Sequence, residues 1–338
     1  MSRFSAMISR KVLCRLVFAL MTVMLLTVRT MPAAVAEDNN RVVIYSSCEE
    51  YRNAHFRQRL NEQFPDYDII IEYMPTGNSA VKLQAEGLDT PCDIVLDMEY
   101  GYLPMLEPIL ADLAGYDQSV FTEDMRSPSG KWLPMYRNGG AVIVNPAVLA
   151  QYGLDEPTSY EDLLDEQYFG FISMPNPKSS GTGYMFLKSL VNAWGEDAAF
   201  DYFYDLGENI LQFTSSGSGP VNALIQGEAA VGLGMTGQAV LANQQGAGLK
   251  ILYFKEGSPC SLYGYAMIEG KQHRACVQEV FDFFYTTLVD EDKALFFPEQ
   301  IYLDKTFTIP GYPTDIPYAD MSGDSSEEKL RLLDNWEY

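Results

Sequence analysis

The chain has 338 residues, 47% of them hydrophobic, 13% aromatic and 20% charged, with a formal net charge of -23. That composition excludes a disordered chain, supports a large buried core, and at this length suggests about two domains. So acidic a surface repels phosphates, which excludes nucleic acid and anionic membranes as partners.

The first 36 residues read as a signal peptide. A basic start (Arg3, Arg10, Lys11, Arg15) precedes an apolar run over 16–28, and Ala34-Val35-Ala36 supplies a small-x-small cleavage pattern. Export to the periplasm or the outer face of the cytoplasmic membrane is expected. The apolar run is too short for a comfortable membrane span. With Arg29 also in this leader, the chain beyond it has a net charge near -28. It keeps Cys48, Cys92, Cys260 and Cys276. An even number in an exported chain permits two disulfides, and Cys48 with Cys92 and Cys260 with Cys276 are the expected pairs. Their spacing does not suit zinc, and no metal is expected.

Residues 41–45 form a short apolar strand ending in Ser46-Ser47, and the spacing of Tyr51, His55, Phe56, Leu60 and Phe64 predicts a helix over 51–64. A second strand is expected over 68–73, a helix opening at Pro75-Thr76-Gly77-Asn78-Ser79, and a third strand over 92–97. Strand and helix in alternation give an α/β fold with a parallel open sheet. Ligands of such sheets bind at the carboxyl ends of the strands, which makes Ser46, Ser47, Thr76, Gly77, Asn78 and Asp97 lining candidates.

Extended runs over 132–136 and 141–145 flank Arg137-Asn138-Gly139-Gly140, read as a strand crossing between lobes. A short helix over 160–167 and a strand over 170–174 lead to Pro177-Lys178-Ser179-Ser180-Gly181-Thr182-Gly183, which runs into a helix over 185–194. Serine before a helix is an N-cap. Glycines there let neighbouring N–H groups point outward together at the positive end of the helix dipole, so this turn is a candidate anion cradle. A helix is predicted over 197–211. Phe213-Thr214-Ser215-Ser216-Gly217-Ser218-Gly219-Pro220 then repeats the same chemistry before a helix over 221–226. Two such corners in one lobe can face one anion from two sides.

A strand over 228–234 carries Gly232-x-Gly234-x-x-Gly237, a formal match to the dinucleotide pattern. The strand before it is too short for that context, and the match is set aside. Residues 251–254 read as a second crossing, 262–268 as a returning strand, 277–288 and 325–336 as helices. The sequence has no G-x-S-x-G elbow, P-loop or H-E-x-x-H, so a secreted enzyme has no positive support.

The order of Tyr45-Ser46-Ser47, Cys92-Asp93-Ile94-Val95, the 177–183 turn, Trp194-Gly195-Glu196-Asp197-Ala198 and Gln226-Gly227-Glu228 resembles the bacterial extracellular solute-binding proteins of ABC importers. Nearly all of 41–338 shares the likeness, most closely with the branch of ferric-ion, phosphonate and sugar-phosphate binders. The resemblance implies a type II periplasmic binding protein: two open-sheet α/β lobes joined by two crossover strands, closing on a solute that is handed to a membrane permease. Lobe 1 would comprise 41–137 and 253–305, and lobe 2 would comprise 138–252 and 306–338. The iron branch usually places a tyrosine pair where this sequence has Gly234-Met235-Thr236-Gly237-Gln238. A small organic solute bearing a phosphate, phosphonate or carboxylate is therefore expected, with iron(III) as the alternative. Its anionic end would sit on Ser179, Ser180, Gly181, Thr182, Ser215, Ser216 and Ser218. Its other end would meet Ser47, Asn78, Asp97, Tyr136 and Arg137, with Ser46, Glu49, Gly77 and Thr236 completing the set. The expected partners are this solute and the permease; a monomer without cofactor is expected.

Overall fold

The structure, a computed structural model, describes residues 40–338, and the expected signal peptide lies outside the described residues. β1 (Arg41–Ser46), β2 (Asp68–Tyr73) and β3 (Ile94–Glu99) alternate with α1 (Glu50–Gln63) and α2 (Thr76–Glu86), and one helical turn, α3 (Leu103–Leu106), follows. β4 (Leu133–Val144) leads through α4 (Pro146–Tyr152) to β5 (Ile172–Pro175), α5 (Gly181–Trp194), α6 (Glu196–Gly207), β6 (Ile210–Thr214), α7 (Gly219–Gln226), β7 (Val231–Met235) and α8 (Thr236–Gln244). β8 (Lys250–Leu252), β9 (Cys260–Met267), α9 (Ala275–Phe283), α10 (Val289–Leu295) and α11 (Ser326–Asp334) complete the order.

The strands run β2-β1-β3-β9-β4-β7-β5-β6, with β8 also on β4. β1 is parallel to both β2 and β3, and β5 to both β6 and β7. β4 is the element shared by the two halves. Its Leu133 to Gly139 portion pairs with β9, and its Gly140 to Val144 portion pairs with β7, joined by β8 over Val142 to Val144. The second crossing runs from β8 to β9 alongside it: the Gly140 N–H donates to Pro259 O at 2.7 Å and the Ser258 hydroxyl to Gly140 O at 2.6 Å. A side chain at Gly140 would strike Met185 and Pro259, so glycine is required where the two crossings touch.

Alternate residues face opposite sides of a strand, and helices cover both sides here, so the central stretches of β1 and of β4 beyond Gly140 are apolar on both faces. Val42 and Ile44 of β1 join one core with Phe56, Leu60, Phe281 and Phe284, while Val43 and Tyr45 join another with Leu83, Met98 and Leu103. In the other half, Val142 and Val144 pack with Met174, Phe186, Leu190 and Trp336, and Ala141 and Ile143 with Val221 and Leu224.

Four expectations are corrected. Residues 160–167 form two 3-10 turns instead of one helix, because Asp165 adopts extended backbone and its side chain accepts the Gln167 N–H. The helix expected over 197–211 ends at Gly207, and Ile210 already belongs to β6. The helix expected over 277–288 is α9 followed by a π-helical turn at Phe284–Leu288. All four cysteines beyond the leader are free thiols, and neither expected disulfide forms. Cys48 and Cys92 lie in the cores on opposite faces of one sheet. Cys260 begins β9 and Cys276 follows its far end, about 20 Å of strand away. Alkylation under non-reducing, denaturing conditions is accordingly expected to modify all four thiols; a fraction that reacts only after reduction would contradict this arrangement.

The dinucleotide-like glycines have a packing origin. Gly232 and Gly234 lie within β7, where a Cβ would press on Leu224, Pro220 and Val221 of α7, and Gly237 lies against Phe297.

Candidate functional site

The alternation of strand and helix brings helix starts to the carboxyl ends of strands from both halves. One cavity is lined by Ser47 and Glu49 before α1, Tyr73, Pro75 and Thr76 at the start of α2, Ser180 to Thr182 at the start of α5, Ser216 to Ser218 before α7, and Met235 before α8. Asp97, Tyr136, Asn138 and Tyr263 supply the rest of its wall. The first N–H groups of a helix have no intrahelical acceptor, and each helix start carries roughly half a positive charge. Five such starts border one cavity, facing the Glu49 and Asp97 carboxyl groups in its wall.

The two serine-glycine corners meet. The Ser179 hydroxyl donates to Ser215 O at 3.0 Å, and any side chain on Gly217 would run into Thr182. Ser180 caps α5, accepting the Gly183 N–H at 3.5 Å. The Thr182 hydroxyl accepts from Asn138 Nδ2 at 3.3 Å, and the Ser216 and Ser218 hydroxyls are 3.1 Å apart. Gly181 has no room for a side chain against the Tyr263 hydroxyl and Glu99. At the cavity's edge the Gly77 N–H donates to Ser179 O at 3.2 Å, and Tyr73 and Ser216 both line the cavity. These contacts leave a cavity of about 30 Å³, room for a couple of waters. A solute of more than a few atoms enters only if the halves part.

Behind the opposite wall lies Arg52, fully buried. Its Nε and Nη2 grip Asp292 at 2.8 and 2.9 Å, and its Nη1 is 3.2 Å from both Glu49 Oε2 and Asp97 Oδ1. The guanidinium stacks over the rings of Tyr136 and Phe297, at 4.3 and 4.8 Å from their centroids. Burial pushes the Asp97 carboxyl up to about 7, with Arg52 pulling it down and Glu49 and Asp292 pushing it further up. Burial likewise raises the Tyr136 and Tyr263 phenols well above their usual value.

Two buried polar atoms on this wall, Ser47 Oγ and Asn138 Oδ1, have no hydrogen-bond partner. Buried polar atoms are rarely left unpaired, so both are groups that a bound molecule can satisfy.

Of the residues singled out in the sequence, Ser47, Glu49, Thr76, Asp97, Tyr136, Ser180, Gly181, Thr182, Ser216 and Ser218 line this cavity. Ser46 does not: its hydroxyl is turned into the fold, bonded to Asn53 and Cys48. Gly77, Ser179 and Ser215 make the rim contacts instead, and Asn78 is solvent-exposed. Thr236 is buried against Tyr253, and Arg137 faces a separate groove, paired with Asp124. Tyr73, Pro75, Asn138, Gly217, Met235 and Tyr263 were not anticipated. The rule that ligands bind at strand carboxyl ends would have reached Tyr73 and Met235, each the last residue of a parallel strand.

Residues 83–298 match the model of the bacterial extracellular solute-binding protein family. A Haemophilus influenzae protein of uncharacterised function is 26% identical over 247 residues, 70% of each chain. Among solved structures, the periplasmic binding protein AfuA from Actinobacillus pleuropneumoniae, with fructose 6-phosphate bound, superposes with a TM-score of 0.78 at 24% identity, covering 88% of this chain and 97% of that one. Iron-bound HitA from Pseudomonas aeruginosa gives 0.71 at 16% identity, covering 87% and 98%. The fold is that of the two-lobed type II periplasmic binding proteins, and the chain belongs to the bacterial extracellular solute-binding proteins.

Proposed function

We propose that this protein is the extracytoplasmic substrate-binding component of an ABC transporter, capturing a small organic anion that bears a phosphate, phosphonate or carboxylate and delivering it to the permease. One observation carries the reading: two serine-glycine corners and five helix starts face one cavity. The lobes would be 41–137 with 253–305 and 138–252 with 306–338, moving as a monomer about the paired crossings. A solute that touches both lobes only when they are shut shifts the population toward the shut form, which the permease can distinguish from the empty one. Hydrogen bonds to a charged group contribute on the order of 1.5–3 kcal/mol each, so four or five reach micromolar affinity or better. Iron(III) is the less suited cargo, because the stretch Gly234 to Gln238, where the iron branch usually places a tyrosine pair, carries no tyrosine, and a hard ion needs several anionic oxygen donors.

The test is calorimetric titration with fructose 6-phosphate, glycerol 3-phosphate, 2-aminoethylphosphonate and citrate, beside titration with ferric ion. The expected result is micromolar affinity for at least one organic anion. A tyrosinate-to-iron absorption band with no affinity for any of the four would overturn the reading.

A further inference from the structure

Anion capture by five helix starts leaves one residue of the wall unexplained. Asp97 is the one non-glycine among the described residues with left-handed backbone, φ 64°, at an irregularity of β3 between Val95 and Met98. Such a conformation costs on the order of 1–3 kcal/mol and persists where the surrounding structure imposes it, often at functional sites. Here it turns a carboxyl that is 2% exposed into the wall of the cavity.

The groups around that carboxyl hold more acid than base. α1 brings Arg52, with Glu49 at its cap; α10 brings Asp292; β4 and β9 bring Tyr136 and Tyr263. Cys48 just beyond β1, Tyr51 of α1 and Tyr73 at the end of β2 lie near it as well. Arg52 is the cation in this set, and two of its nitrogens are committed to Asp292. A single nitrogen, Nη1, remains between Glu49 and Asp97. An anion held at the serine-glycine corners would add a negative charge to the same cavity, and a proton on Asp97 is the smallest change that relieves it.

We propose that Asp97 meets the solute as a neutral carboxylic acid, donating its O–H to it, so that capture takes up one proton from solvent. This rests on the anion reading above. The raised titration of Asp97 agrees with it. The sign follows from linkage: an anion in the cavity raises the proton affinity of the carboxyl, so the protonated protein binds more tightly and affinity falls as pH rises past neutrality.

The experiment uses the full chain. The Asp97 carboxyl is followed by carbon-13 NMR, assigned by its loss in Asp97→Asn, and binding of fructose 6-phosphate, glycerol 3-phosphate and 2-aminoethylphosphonate is measured at about pH 7 and about pH 8.5. Phosphoryl groups have a second pKa near 6, so over this range they stay largely dianionic. The expected results are a midpoint near neutrality and roughly tenfold weaker binding at the higher pH. Asn tolerates left-handed backbone and carries no charge, so this slope disappears in Asp97→Asn. A midpoint below about 5, or equal slopes in both proteins, would overturn the proton link. Failure of all three probes to bind while Asp97 titrates near neutrality would instead overturn the anion reading.

Discussion

Replacing Arg52 with methionine is expected to lower the stability of the protein by about 3–5 kcal/mol, read as a fall in the urea midpoint at unchanged slope. The guanidinium is fully buried and is the counter-charge for Asp292, which is itself 0% exposed. Methionine fills similar volume against Tyr136 and Phe297 but leaves that carboxylate without its partner, and the cost of an uncompensated buried charge exceeds the small net worth of the pair. Lysine is not expected to rescue, since one ammonium cannot make the two parallel bonds to Asp292 and also reach Glu49 and Asp97. Removing both charges with Arg52→Met and Asp292→Leu is expected to recover much of the loss. A single-variant loss under about 1 kcal/mol would show that the network is not holding this half of the fold together.

Ser180→Asp is expected to weaken anion binding at least about a hundredfold while leaving α5 in place. Aspartate caps a helix as well as serine does, so the local structure survives the change. The new carboxylate sits where the anion is proposed to sit. Two like charges about 4 Å apart at an effective dielectric constant near 20 repel by about 4 kcal/mol, nominally close to a thousandfold in affinity before any rearrangement. Ser180→Asn, a neutral cap, separates charge from shape and is expected to bind more tightly than the aspartate variant. A loss of less than about tenfold for Ser180→Asp would move the anion away from this corner.

What could be read before the structure was what is local. β2 follows from the apolar run Ile69 to Ile71, and the corners at Ser180 and Ser216 follow from cap chemistry that needs only adjacent residues. Arg52 was invisible for the opposite reason. The apolar spacing of α1 puts Tyr51, His55 and Phe56 on the inner face, yet the helix buries Arg52 and Asn53 beside Phe56 and Leu60. What draws Arg52 inward is Asp292, 240 positions away. Ser46 misled for a related reason: it ends a strand as a lining residue should, but Asn53 one helical turn into α1 takes its hydroxyl. The helix expected over 160–167 failed because Asp165 accepts the Gln167 N–H within the segment, and Asp162 those of Thr158 and Ser159 just before it, a competition that periodicity does not register.

The most direct measurement is a crystal structure of the protein carrying the solute it retains when purified from its own cells. The prediction is an anionic group within about 3.2 Å of the Gly181 and Thr182 N–H groups and of the Ser216 and Ser218 hydroxyls, with the uncharged part of the solute against Ser47, Asn138 and Asp97. A solute whose anionic group lies away from both corners, or a metal ion in its place, would contradict it.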